Sequence, residues 1–299
     1  MKTSRSSVVT GRTLNERRID RRKRKESATG SRSWFIFRGP LKLTMKESSA
    51  HEQSNGVRIL GVEFFNGPAS GAVELMTRHG GFLAAPSAPG MVRLSYDKPY
   101  RDAMLTADLV IADSGLMVLS WRLLRGERIT KNSGLSYLKK LLSLPEIGDP
   151  GKLFLVLPNQ KAQAKAISYL SRKRIPVSSE NCYIAPQYGV KIEDPALAQI
   201  VDQRRPAHIL IGIGSGPQEK LGCYLRNHLP YRPAIHCIGA ALGFLTGDQI
   251  AIPDWVDRCY LGWFLRLLAQ PRLFFPRLWR ASALPVLILK YGEKLPLLR

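Results

Sequence analysis

Hydrophobic positions along the chain alternate between two spacings. Continuous apolar runs such as "KLFLVLP" (152–158) and "HILI" (208–211) read as strands buried on both faces. Between them, "QKAQAKAISYLSRK" (160–173) repeats Ala, Ile and Leu at helical spacing, and "PALAQIVDQRRP" (195–206) opens a helix on proline. Earlier in the chain, "VRILGVEFF" (57–65) predicts a strand and "GAVELMTRHG" (71–80) an amphipathic helix. "GFLAAPSAPG" (81–90) predicts a strand end breaking into a Pro-rich loop. "YRDAMLTADLVIADSG" (100–115) gives a helix and then the strand "DLVIA", ending on Asp113. "LMVLSWRLLRG" (116–126) and "SGLSYLKKLLSL" (133–144) are helical, "CYIAPQYG" (182–189) is a short strand and loop, and "AIHCIGAALGFLTG" (234–247) is a strand and turn.

Strands separated by helices in this way imply parallel βαβ units. The expected fold class is therefore α/β, a Rossmann-like parallel-sheet sandwich with a short helical C-terminal appendage. Ligands in such sheets lie beyond the C-terminal strand ends, which selects residues 85–89, Asp113, residues 212–219 and residues 239–247 as site loops. The expected organisation is a basic, disordered tail over 1–55, an α/β core over 56–255, and a basic amphipathic appendage over 256–299.

Charge changes this picture at the two ends. The chain of 299 residues carries a formal net charge of +22, so a polyanionic partner is expected: nucleic acid, anionic lipid or a phosphorylated substrate. The first 50 residues hold 14 Lys/Arg against 4 Asp/Glu, densest in "RRIDRRKRK" (17–25). That tail has too little apolar surface to offset the entropy of ordering. A true start at Met45 is the alternative account of it. No RRM, KH or helix-turn-helix signature accompanies the charge, so no specific nucleic-acid partner is expected. The segment 263–299 has seven Lys/Arg against one Glu, interleaved with Trp, Phe and Leu. It reads either as an interfacial element that contacts an anionic membrane surface or as helices packed on the core with arginines reaching to water. Pro271 and Pro276 are expected to break it into short helices. No run is long enough to span a bilayer. Cys182, Cys223, Cys237 and Cys259 form no CxxC pair, and the five histidines have no metal-ligand spacing, so no metal and no cofactor are expected.

Three features carry candidate chemistry. Asp113, at a strand tip, suits a general base, or else caps the helix that starts near Leu116. "GIGSGPQEK" (212–220) is neither GxGxxG nor a P-loop. It is either a plain turn or a cradle whose backbone N–H groups hold a diphosphate, with Gln218 and Glu219 suited to ribose or uracil. "WFLRLLAQPRLFFPRLWR" (263–280) places arginines where they could meet a diphosphate.

These stretches, taken in order, resemble the WecG/TagA/CpsF glycosyltransferases. "ADLVIADSG", "SGL", "GIGSGPQEK", "IGAALGFLTG", "IPDW" and "LGWFLRLLAQPRL" carry the resemblance over about residues 57–280, leaving out the last twenty or so. The resemblance implies transfer of an N-acetylmannosamine-type sugar from a UDP-sugar to a polyprenyl-diphosphate-linked acceptor. Transfer would proceed with inversion and no obligatory metal, on the cytoplasmic face of the membrane. It makes Asp113 the catalytic base, one strand tip from Gln218 and Glu219, which match the family's Q-E pair over a nucleotide sugar that approaches Gly214. Lys131 stands where the family has Arg, and Arg266, Arg272 and Arg277 would close over the diphosphate. The family's T-x-N loop is "APS" here, so Ala85 and Ser87 replace Thr and Asn, and G-s-D-L has become S-G-L. Each lost hydrogen-bonding group costs about 1–3 kcal/mol where its partner is buried. The expectation is a divergent member with altered sugar or acceptor choice. A non-catalytic nucleotide-sugar or lipid-binding descendant is the alternative, and a homo-oligomer is left open.

Overall fold

The computed structural model describes residues 56–247 and 262–299. Expectations placed on the basic tail, on Met45, on "IPDW" (252–255) and on Cys259 lie outside the described residues.

Six strands form one wholly parallel sheet: β3 (Gly81–Ala84), β4 (Leu109–Val110), β5 (Leu153–Leu157), β6 (Cys182–Ile184), β7 (His208–Ile211) and β8 (Ala234–Cys237). Their order across the sheet is β4-β3-β8-β7-β5-β6. The chain leaves β5 outward to β6 but leaves β7 inward to β8, so the topological switch falls between β5 and β7. Side chains of the central strands alternate between two buried layers. Phe82, Phe154, Val156, Ile209, Ile211 and Ile235 pack into one, while Leu83, Leu155, Leu157 and Leu210 pack into the other. Burial on both faces is why these strands read as unbroken apolar runs.

The second layer is covered by α1 (Ala69–His79), α5 (Gly134–Leu141) and α6 (Gln160–Arg172). The first is covered by α2 (Ala88–Arg93), α3 (Lys98–Leu105), α4 (Gly115–Arg125), α7 (Pro195–Arg204) and α8 (Pro217–His228). Most begin on a side-chain cap that the sequence supplies. Ser87, Asp97, Ser114, Ser133, Asn159 and Asp194 each accept a hydrogen bond from the first turn.

The structure corrects four expectations. Residues 88–93, the first three of them in a stretch read as a Pro-rich loop, form α2. Residues 57–65 are not one strand but a hairpin, β1 (Val57–Ile59) and β2 (Val62–Phe64), which turns on Leu60 and Gly61 at φ of 50° and 82°. The turn after β8 contains a helix, α9 (Ala241–Leu245). The C-terminal segment breaks before Pro271, between α10 (Gly262–Ala269) and α11 (Pro271–Ala281), but α11 continues through Pro276. Pro276 removes only one hydrogen bond, that to the Arg272 carbonyl, and the helix tolerates the loss.

Of the two readings given for the C-terminal segment, packing on the core describes its last helix. α12 (Ala283–Tyr291) buries Leu284, Leu287 and Ile288. Beyond it, the carbonyls of Gly292 and Glu293 accept from Leu60 and Gly61 N–H, both at 2.8 Å. The chain end is pinned further by Arg101, which donates to the Pro296 carbonyl at 2.7 Å.

Candidate active site

Asp113 follows the edge strand β4, whose extension at Ile111 bridges to Phe65 after β2. Ser114 caps α4 by accepting from Met117 N–H, so that role does not fall to Asp113. The Asp113 carboxylate reaches the start of another helix instead. Its Oδ1 accepts from Gly134 N–H at 2.7 Å, in the first turn of α5. Asn132 anchors the approach to that helix: its N–H donates to Ala112 O at 3.0 Å and its Nδ2 to Gly67 O at 2.8 Å. Lys131 precedes Asn132 and is partly buried, which puts its backbone beside the strand extension that bears Asp113.

Gly134 can occupy this place only as glycine. A Cβ there would lie 2.6 Å from the carbonyl oxygen of Ile238, at the end of β8. This close approach draws the Asp113 carboxylate toward the β8 tip. Next in line, Gly239 enters a cavity of about 290 Å³ at the topological switch. Pro158, Asn159 and Lys161 after β5, Gly212 after β7, and Gly243 and Thr246 of the α9 turn complete its wall.

The Gly-rich turn departs from expectation. Gly214 and Gly216 take φ of 96° and 102°, which only glycine adopts readily, and a Cβ on Gly214 would meet open space. Gln218 and Glu219 do not face that space; both are completely buried. Glu219 turns back on its own helix, accepting from Gly216 N–H at 2.6 Å, Gln218 Nε2 at 3.0 Å and Ser215 Oγ at 3.4 Å. Burial holds its carboxyl above the usual carboxylate range, against the pull of those donors. Gln218 Oε1 has no hydrogen-bond partner among the described residues. The pair therefore shapes the turn from beneath.

Two loops of the site touch. Ser87 Oγ lies 3.5 Å from Ser215 Oγ while it caps α2, and Ala85 is buried at the end of β3. Asp113 and the Gly-rich turn lie at the same end of the sheet but not on neighbouring strands. β3 and β8 stand between β4 and β7, a separation of about 14 Å at the strand spacing of a sheet. An extended ligand is needed to reach both.

Arg272 and Arg277 are exposed on α11, with the Arg277 guanidinium 5.2 Å from the centre of the Phe274 ring. α11 packs on α2, whose cap is Ser87, and α10 packs on α4. Arg266 lies in α10, and its side chain is outside the described residues. Reading the sequence missed Asn159 and Lys161 beside the cavity, and did not foresee the contacts that Gly134 and Ser215 make within stretches it had singled out. Only Asn159 carried a usable signal, as a helix cap directly after an apolar strand. Gly134 is required by a carbonyl more than a hundred residues away.

A model of the glycosyl transferase WecG/TagA/CpsF family matches residues 57–296, beyond the expected limit near 280 and including α12. Over 176 residues, 58% of this chain, it is 23% identical to an N-acetylglucosaminyldiphosphoundecaprenol N-acetyl-beta-D-mannosaminyltransferase of Bacillus subtilis (strain 168). The match spans 66% of that protein, just under two thirds of its length. The match of one family model to most of the folded sequence, strand tips and C-terminal helices included, establishes that the chain belongs to the WecG/TagA/CpsF family of glycosyl transferases.

Proposed function

We propose that the protein is an inverting glycosyltransferase that moves an N-acetylmannosamine-type or related sugar from a UDP-sugar to a polyprenyl-diphosphate-linked acceptor, in the synthesis of a cell-surface polysaccharide. The observation that carries this reading is the Asp113 carboxylate, fixed by Gly134 N–H at the C-terminal edge of the sheet and linked through Ile238 and Gly239 to the switch-point cavity. The nucleotide sugar occupies that cavity and runs toward β4. Asp113 takes the proton from an acceptor hydroxyl, and the oxygen attacks the anomeric carbon from the side opposite the diphosphate. The bond to the diphosphate breaks, and UDP leaves with the negative charge. Lys131, Arg266, Arg272 and Arg277 offset that charge, the role a metal has in other transferases. Gln218 and Glu219 act indirectly, by holding Gly214 where a phosphate can approach the backbone.

The acceptor requires a membrane, and among the described residues no helix is long and apolar enough to cross one. The exposed Phe264, Leu268, Phe275 and Trp279 of α10 and α11, with the neighbouring arginines, suit a peripheral site on the inner face of the cell membrane. One observation favours the non-catalytic reading. Ala85 brings no polar group to the β3 loop, and the Ser87 hydroxyl is occupied by Gly90 and Ser215.

Measuring UDP release from a panel of UDP-sugars, with and without vesicles bearing a polyprenyl-diphosphate-linked acceptor sugar, decides between the two. Acceptor-dependent release supports transfer. Thermal stabilisation by a UDP-sugar without release would leave binding alone.

A further inference from the structure

A second cavity, of about 430 Å³, is lined by Asn66, Val118, Arg122, Arg128, Ile129 and Thr130. No carboxylate lines it. Arg122 and Arg128 form no ion pair or hydrogen bond among the described residues. Glu127, the one acid in the intervening turn, accepts from the Trp121 indole N–H at 3.2 Å. The loop is held open in a defined shape, because Thr130 N–H donates to Asn66 Oδ1 at 2.8 Å. Two unpaired guanidiniums, a hydroxyl and a carboxamide converge there on an apolar floor. That donor set suits a diphosphate, which accepts hydrogen bonds and carries paired negative charge.

Its position relative to Asp113 narrows the choice of diphosphate. α4 starts at Gly115, two residues after Asp113, and Arg122 lies seven residues further on, about 10 Å along the axis at the helical rise. Past Arg122, the helix presents Leu123, 82% exposed, and Leu124, and α10, with exposed Phe264 and Leu268, packs on α4. The order along the helix is carboxylate, cationic cavity, then exposed apolar side chains. It matches sugar, diphosphate and prenyl chain in sequence. The donor's diphosphate belongs to the switch-point cavity, which shares no lining residue with this one.

We infer that the Arg122–Arg128 cavity is the seat of the acceptor's diphosphate, with α4 as the track that leads its lipid chain from the membrane to Asp113. The inference rests on the transferase reading for the identity of the sugar, but the seat itself can be tested without turnover.

The test titrates the full chain with farnesyl diphosphate, a soluble prenyl diphosphate, while UDP saturates the donor site. Wild-type protein is expected to bind, inorganic pyrophosphate to compete, Arg122→Ala/Arg128→Ala to lose ten-fold or more in affinity, and Arg122→Lys/Arg128→Lys to regain part of it. Both arginines are exposed, so unchanged melting of the variants serves as the folding control. Equal binding by wild type and the Ala double variant, binding abolished by UDP, or no binding by wild type overturns the seat. In turnover, the Ala variant raises KM for the lipid-linked acceptor at least ten-fold and leaves KM for the donor within two-fold; the reverse pattern also overturns the seat. If wild type releases no UDP with any acceptor, the transferase reading fails while the titration still decides whether the diphosphate site exists.

Discussion

Replacing Glu219 separates a residue that holds the turn from one that touches a ligand. Its side chain is fully buried and accepts from Gly216 N–H, Gln218 Nε2 and Ser215 Oγ. Glu219→Ala strands the Gly216 N–H and the Gln218 amide in the interior and leaves a void, at a cost of about 2–5 kcal/mol. For a folded unit of this size that lowers Tm by roughly 4–20 °C. Glu219→Gln is a different perturbation. Its amide oxygen can still accept from Gly216, and the new donor would face the Gln218 amide, whose Oε1 has no partner. Rotating the Gln218 amide by half a turn then pairs the two side chains again. Burial already opposes ionisation of Glu219, so losing the charge removes a penalty. The expected cost is about 1 kcal/mol or less. Thermal melting of both variants, with donor KM measured in parallel, checks the argument. If Glu219→Ala melts within about 2 °C of wild type while donor KM rises ten-fold or more, Glu219 faces the ligand and the packing argument is wrong.

Buried histidines predict a pH dependence of stability. Tyr137 Oη lies 2.9 Å from His236 Nδ1, His236 Nε2 3.2 Å from His208 Nδ1, and His208 Nε2 3.2 Å from Glu146 Oε1. One directed chain of donors satisfies every link with both imidazoles neutral. Burial lowers both pKa values, and the neighbouring His208 charge lowers that of His236 further. The folded state thus binds fewer protons than the unfolded one once pH falls below about 6.5. Stability is full above that pH and is lost below it, by up to about 1.4 kcal/mol per pH unit for each histidine. Urea midpoints between pH 7.5 and 5 should fall accordingly, and His208→Gln should flatten the slope. Gly134→Ala drives a Cβ into the Ile238 carbonyl. It should cost about 1–3 kcal/mol and, by moving the N–H that orients Asp113, about ten-fold or more in kcat. Phe275→Ser/Trp279→Ser removes two exposed aromatic side chains. Co-sedimentation with anionic vesicles should drop at least five-fold, roughly 1 kcal/mol, with Tm unchanged.

The sheet was legible in the sequence because burial on both faces leaves an unbroken apolar signature, as in "KLFLVLP" and "HILI". Most helix starts were legible behind Ser, Asp or Asn, but α2, capped by Ser87, lay in a stretch that reads as a Pro-rich loop. The hairpin at residues 57–65 was hidden because Leu60 is itself apolar and buried while taking positive φ, so the turn interrupts no hydrophobic run. Pro276 misled because a proline's cost depends on what surrounds the helix, and α11 is supported by α10 and α2. The position of the candidate loops at the strand tips followed from the parallel pattern, but the direction of the Gln218 and Glu219 side chains did not. A polar pair after a Gly-rich strand has the same sequence whether it faces a ligand or caps its own helix. The sheet order, which places two strands between β4 and β7, depends on long-range packing that periodicity does not record.

The account depends most on Asp113 acting as the base. Asp113→Asn keeps an oxygen to accept from Gly134 N–H, so Tm and donor affinity should stay close to those of wild type. Turnover with a lipid-linked acceptor should fall by about 10²–10⁴ with loss of the proton acceptor. Measured side by side, unchanged UDP-sugar binding with turnover reduced by that factor is the predicted result. Turnover within a few-fold of wild type would contradict it and take Asp113 out of the chemistry.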